Sequence, residues 1–161
     1  MTNKRNYWGW GYADFEFPQA NLEHFKTMLK AALQIKEFEQ HQAKSVDELV
    51  LRTPRFKLPA NLESICSSTN HDRASHSYGK AFRDVWRGFH GHFPNPPDYV
   101  AFPKIEADII QLMQFATENG VLVSICPCSC PFPLCLPCRI AKMCSRRICN
   151  SLFHEKNTST A

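Results

Sequence analysis

Phe93-Pro-Asn-Pro-Pro-Asp-Tyr-Val-Ala-Phe-Pro-Lys104, followed by Glu106-Ala-Asp-Ile-Ile-Gln-Leu-Met-Gln-Phe-Ala-Thr-Glu-Asn-Gly-Val-Leu-Val-Ser-Ile125, is the stretch from which the fold is read. Prolines 94, 96 and 97 remove amide donors and push the residues before them to extended geometry, so 93–98 reads as a rigid linker. Tyr99 to Phe102 then reads as a strand that Pro103 ends. From Glu106 to Asn119 the pattern predicts a helix, with Glu106 and Asp108 in its first turn and Asn119-Gly120 as a stop signal. Val121 to Ile125 reads as a second short apolar strand. Strand, crossover helix and strand make one βαβ unit, which predicts a parallel pair.

Upstream of this unit the chain reads as helical. Between Ser77 and Phe89, Tyr78, Phe82, Val85, Trp86 and Phe89 recur at intervals of three and four, predicting an amphipathic helix that Gly88 and Gly91 help to end. Residues 45–65 read as short helical turns punctuated by Pro54 and Pro59. After Pro18, Leu22, Phe25, Met28, Leu29, Ala32 and Leu33 follow helical spacing, so a one-faced helix packed on another surface is expected. Tyr7-Trp-Gly-Trp-Gly-Tyr12 sets bulky rings among glycines, which suits a loop whose rings cover a neighbouring surface.

Composition divides the chain near Val123. Residues 1–125 hold 14 Lys+Arg and 14 Asp+Glu, so the formal +4 belongs to the remainder, where five basic residues face the single acid Glu155. Cys66 is alone in the first part, and seven further cysteines run from Cys126 to Cys149; all six glycines lie before residue 121. A body so poor in cysteine needs no disulfide framework and reads as intracellular, and the N-terminus shows no apolar run that could act as a signal peptide. Asn119 to Cys138 is uncharged and near the length of a membrane helix, but Pro127, Pro131, Pro133 and Pro137 each cost about 3 kcal/mol inside a helix, so no transmembrane span is expected. The neutral body, and a basic run from Arg139 to Arg147 broken by cysteines and not by stacking aromatics, argue against a nucleic-acid partner.

Few residues offer chemistry. Cys135 and Cys138 have the Cys-x2-Cys spacing of a zinc knuckle, without the second knuckle that structural sites use, and they stand as a weak metal alternative. His90 and His92, with His71 and His76 nearby, lack a Cys or carboxylate at ligand spacing and read as ordinary polar residues. Val123-Ser124 can be encoded as GTAAGT, the consensus start of an intron, and the Cys, Pro, Ser, Phe and Leu that follow have pyrimidine-rich codons. A retained intron or frame slip is therefore expected to account for the tail.

Tyr7–Tyr12, the run Asp72-Arg-Ala-Ser-His-Ser-Tyr-Gly-Lys-Ala-Phe-Arg-Asp84 and the run Phe93–Lys104, in that order and spacing, resemble the alkyldihydroxyacetonephosphate synthases and their FAD-linked oxidase relatives. The resemblance covers residues 7 to about 123. It implies a flavoprotein with a two-lobed FAD-binding domain of the p-cresol methylhydroxylase (PCMH) type. The synthases exchange an acyl for an alkyl group on dihydroxyacetone phosphate in peroxisomes, in ether-lipid synthesis; their relatives oxidise hydroxy acids. A lipid-phosphate or hydroxy-acid substrate and a peroxisomal or cytoplasmic location follow from the resemblance. Lys104-Ile-x5-Gln111-Leu112 matches the peroxisomal targeting nonapeptide, but its position in mid-chain, where Ile105, Ile109 and Leu112 are expected in the core, makes it a chance match. In the family a Gly-Gly-Gly-Thr-Ser type loop follows the second strand and cradles the FAD pyrophosphate with backbone amides. Here Val123 is followed by Ser-Ile-Cys-Pro-Cys, and residues 121–161 contain no glycine.

The expected fold is thus α+β. A helical lead-in over 1–92 precedes the start of an incomplete PCMH-type domain at 93–125, and a disordered Cys/Pro-rich tail fills 126–161. Pro97, Asp98 and Pro103 are the weak candidates for lying near a flavin edge, and the resemblance places Arg73 and His76 toward the flavin domain or active site. No catalytic residue can be carried over, FAD is not expected to bind stably, and the chain is expected to be inactive alone. The alternative is a non-enzymatic Cys-rich protein that holds zinc or a membrane surface.

Overall fold

The computed structural model describes residues 4–37, 39–125 and 141–145. Along the chain run α1 (Gln19–Leu33), α2 (Ala60–Glu63), β1 (Cys66–Ser67), α3 (Asn70–Ser75), α4 (Phe82–Phe89), β2 (Tyr99–Ala101), α5 (Glu106–Glu118), β3 (Val121–Ile125) and β4 (Ala141–Ser145). The fold is α+β, with helices preceding and flanking one small sheet.

Local chemistry sets the ends of α5. The Asp108 carboxylate reaches back to accept from the backbone amides of Lys104 (2.8 Å) and Ile105 (3.2 Å), satisfying donors that the first helical turn leaves open. At the other end Asn119 Nδ2 donates to the Phe115 carbonyl, and Gly120 takes φ +62°, the left-handed geometry that turns the chain into β3. The helix buries Leu112 and Ala116 against the sheet.

The strands lie in the order β1-β2-β4-β3, and every neighbouring pair is antiparallel. Because β2 and β3 are each antiparallel to β4, they run parallel to one another, as a strand–helix–strand crossover requires. The expectation that they pair directly is corrected, however. β4 occupies the slot between them, with Met143 opposite both Tyr99 and Val123, so the inner edges of β2 and β3 each bond to the interposed strand. The same strand corrects part of the expectation for the tail: residues 141–145, assigned there to disorder, form the second inner strand, and Met143 is fully buried. The rest of that tail, with Cys135 and Cys138, lies outside the described residues.

Two apolar clusters result. One joins Leu62, Ile65, Ala101, Leu112, Ala116, Val121 and Met143 between the sheet, α2 and α5. The other gathers Tyr7, Leu49, Ala74 and Phe93, with Trp8 and Tyr78 against it. Burying a Leu, Val or Met side chain is worth about 1.5–3 kcal/mol, so the first cluster carries the sheet.

The N-terminal aromatics do cover a neighbour: Trp8 meets Phe89 edge-on at 5.0 Å and lies against Gly88, where a Cβ would come within 3.2 Å of the Trp8 Cα. That contact decides which face of α4 is inward, and it corrects the amphipathic reading. Val85 is half-buried and Gly88 buried, while Phe82 and Trp86 are exposed. The helix also starts later than its periodicity suggests, because Ala81 is extended and 70–75 forms the separate α3. Helix α1 buries none of its residues, and Phe25, Met28 and Leu33 stand exposed, so the surface expected beneath its apolar face is absent among the described residues. Ile105 and Ile109, expected in the core, are exposed too; Leu112 is buried.

Candidate functional site

The linker that leads into β2 is held by a cluster of arginines around one buried carboxylate. Asp98 is fully buried. Its Oδ1 accepts from the Arg55 backbone amide (3.2 Å), and both carboxylate oxygens accept from Arg55 Nε at 3.1 Å. Oδ2 also accepts from Arg55 Nη2 at 2.5 Å, and Arg52 Nη2 stands 3.5 Å from Oδ1. Taking a carboxylate out of water is costly unless it is paired, which is why a fixed guanidinium fork sits here.

Arg73, on α3, is itself almost completely buried and completes the clasp through backbone carbonyls. Its Nε donates to the Pro97 carbonyl at 2.7 Å and its Nη2 to the Arg52 carbonyl at 2.5 Å. Arg52 Nη2 donates to the Pro96 carbonyl at 3.0 Å. The prolines make these bonds possible: they keep 94–98 extended, so successive carbonyls stand clear of any helix ladder and accept from side chains. Burial lowers the pKa of Arg73 and the positive charges of Arg52 and Arg55 lower it further, while Asp98 opposes them; the guanidinium nevertheless stays charged. Asp98 also ties the cluster to the sheet, since its backbone amide donates to the Met143 carbonyl at 2.9 Å.

Arg52 and Arg55 face the carboxylate and retain 28% and 21% side-chain exposure. The cluster offers donors and fixed charge. Its bonds anchor the 96–98 linker to the 52–55 segment and to α3.

Pro97, Asp98 and Pro103 are all buried, and the first two share this cluster. Arg73 belongs to it. His76 does not: its Nδ1 donates to the Asp72 carbonyl at 2.7 Å, and its ring meets Phe102 edge-on. His90 donates to the Trp86 carbonyl and lies over the indole, with ring centroids 4.2 Å apart. Among the described residues no group of three or more His, Cys, Asp or Glu could hold a metal ion, and no helix is long and apolar enough to cross a membrane. Sequence reasoning missed Arg52 and Arg55. The signal was available, since an Asp in a proline-fixed lead-in to an apolar strand needs a cation, and Arg-Thr-Pro-Arg supplies two.

A flavin pyrophosphate needs backbone amides that approach closely, which glycines permit. The chain beyond Gly120 has no glycine. In the clasp, Arg52 Nη2, Arg55 and Arg73 donate to Asp98 and to the Pro96, Pro97 and Arg52 carbonyls, while Arg52 Nε is buried without a hydrogen-bond partner among the described residues. Neither the clasp nor residues 121–125 supply such a glycine cradle.

The sequence and this architecture define an α+β chain built on a clasped strand–helix–strand unit. It is similar to the alkyldihydroxyacetonephosphate synthase of Trypanosoma brucei brucei, 37% identical over 80 residues, which is 48% of this chain and 11% of that protein. It is also similar to the alkyldihydroxyacetonephosphate synthase of Dictyostelium discoideum, 29% identical over 92 residues, or 57% of this chain and 14% of that one. The matches thus span about an eighth of the curated relatives' length. No family model matches the chain, and no solved structure matches it.

Proposed function

We propose that this chain is a partial relative of the alkyldihydroxyacetonephosphate synthases. It carries a segment that corresponds to the lead-in and first strand–helix–strand of their PCMH-type FAD-binding domain. The observation that carries this reading is the similarity to two synthases from different organisms. The parallel run of β2 and β3 across α5 is consistent with it. On this reading Pro97, Asp98 and Pro103 hold the opening strand in place beside a flavin edge. The chain is inactive alone, and its location follows the family, in peroxisomes or cytoplasm. The tail beyond Val123 derives from a retained intron or frame slip.

Expression of residues 1–161, followed by flavin absorbance, zinc content and an alkyl-for-acyl exchange assay, tests the proposal. The expected result is none of the three at stoichiometric level. Bound yellow flavin or exchange activity would overturn the inactivity, and one zinc per chain would favour the Cys-rich alternative. Long-read transcripts across the codon for Val123 test the tail's origin, because a dominant in-frame transcript with no spliced version would refute it.

A further inference from the structure

His71 stands on α3 between two hydrogen-bond acceptors. Its Nδ1 lies 3.3 Å from Asp72 Oδ1, and its Nε2 lies 2.9 Å from the backbone carbonyl oxygen of Arg5. A carboxylate and a carbonyl can only accept. A neutral imidazole has one N–H, so it can make one of these bonds and must turn a lone pair toward the other acceptor. The imidazolium makes both. Asp72 cannot supply the missing proton by sharing one. Burial works to raise its pKa, but hydrogen bonds from Ser67, Thr69 and His71 outweigh that and hold the carboxyl below its ordinary value.

The bond to Arg5 spans 66 residues of chain and reaches a separate piece of structure. Arg5 bridges to Tyr12 in an N-terminal hairpin closed by Asn6 N–H to the Gly11 carbonyl (3.0 Å) and Ala13 N–H to the Lys4 carbonyl (2.8 Å). This hairpin presents Tyr7 to the second apolar cluster and Trp8 to α4. The charged groups at the ring are Asp72 on its own helix and Arg5 on the hairpin. The Arg5 guanidinium is engaged elsewhere, donating to the Trp10 carbonyl at 2.8 Å and lying 4.5 Å over the Tyr12 ring. The neighbours from β1 and the loop after it, Ser67 and Thr69, are neutral hydroxyls spent on the other Asp72 oxygen.

We propose that His71 is a pH-dependent latch on the N-terminal hairpin. Doubly protonated, it fastens the hairpin to α3 and to the Asp72 carboxylate. Loss of one proton releases one of the two bonds, so the hairpin is held most firmly on the acid side and loosens as pH rises through the deprotonation of His71. The device controls how firmly Tyr7 and Trp8 stay seated, and it does not depend on the family reading.

The experiment uses the whole chain. Amide hydrogen exchange at Asn6 and Ala13, corrected for intrinsic rates, is followed from about pH 5.5 to about pH 8, the range in which histidine titrates, in the native chain and in His71→Gln. Imidazole 15N shifts read the ring's protonation in the same samples. One hydrogen bond corresponds to a loss of protection of roughly three- to tenfold in the native chain, and none across the same range in His71→Gln. In Asp72→Asn the side-chain amide can accept from Nδ1 or donate to it, so the neutral ring keeps its N–H on the Arg5 carbonyl and the loss is absent; this variant decides the matter if His71→Gln does not fold. A flat native profile, the same loss in His71→Gln, or a neutral His71 ring where protection is greatest would each overturn the proposal.

Discussion

Replacing Asp98 with Asn tests the clasp most directly, because it keeps the shape of the side chain and removes only its charge. In the native chain the carboxylate accepts three bonds from the Arg55 guanidinium and one from the Arg55 amide, with Arg52 at 3.5 Å, and none of Asp98 reaches solvent. Asparagine can accept at one oxygen only. It also turns an NH2 group toward guanidinium donors, so a repulsive contact replaces an attractive one. Breaking one side of a buried ion pair costs about 3–5 kcal/mol when the remaining charge is fully enclosed. Arg52 and Arg55 keep 28% and 21% of their side-chain surface in water, which lets them recover part of the lost solvation, so the lower end, about 3 kcal/mol, is expected. For a chain of this size that lowers the midpoint of thermal unfolding by roughly 10 °C. Thermal unfolding followed by circular dichroism measures it. The double variant with Arg55→Met should recover part of the loss, because the orphaned cation is then gone. An Asp98→Asn midpoint within about 1 °C of native would refute the view that this ion pair holds the linker, since that lies within the scatter of a neutral surface change.

Met143→Ala, at a fully buried position of β4, is expected to cost about 2–5 kcal/mol in the same unfolding assay, whereas a tail that takes no part in the sheet would leave stability unchanged. Gly120→Ala meets no atom within 4 Å but forces φ +62° on an L side chain, so a loss of about 1 kcal/mol, visible as a lowered urea midpoint, is expected. Burial pushes the Cys66 thiol up to about 11, so at neutral pH its alkylation, followed by peptide mass mapping, should run on the order of 100-fold slower than that of an ordinary exposed thiol. The pKa of Asp72 is held below its unfolded value. Its contribution to stability is therefore complete above about pH 4 and is lost as pH falls through the folded value; the stability gap between native and Asp72→Asn should shrink in acid-titrated unfolding curves.

Much of the local structure was legible. Acids at the start of α5, Asn119-Gly120 at its end and the flanking apolar runs act within a few residues, and the helix and both strands appear where those signals put them. The same holds for Pro103, which stops β2, and for the prolines that keep 94–98 extended. The amphipathic spacing of Tyr78, Phe82, Val85, Trp86 and Phe89 did not show which of these rings the helix buries, for a physical reason. Periodicity shows that a helix has an apolar face, but α4 is seated by the close approach that Gly88 allows to Trp8, and that approach turns two large rings outward. The sequence signals that Asp98 needs a cation, but Arg52 and Arg55 lie 46 and 43 residues away, so which of the chain's cations meets it is not a local matter.

The sequence by itself determined the rigid linker 94–98, β2, α5 and β3, because those choices rest on contacts between neighbours along the chain. It also determined that β2 and β3 run the same way, since a single crossover helix returns the chain to the same end of the sheet. Only the tertiary structure decided what lies between them. A strand edge accepts any segment that satisfies its amides and carbonyls and buries an apolar side chain, and here Ala141–Ser145 does so, with Met143 facing the core. It decided likewise which cations meet Asp98 and which acceptors face His71, because those meetings depend on where distant segments come to rest.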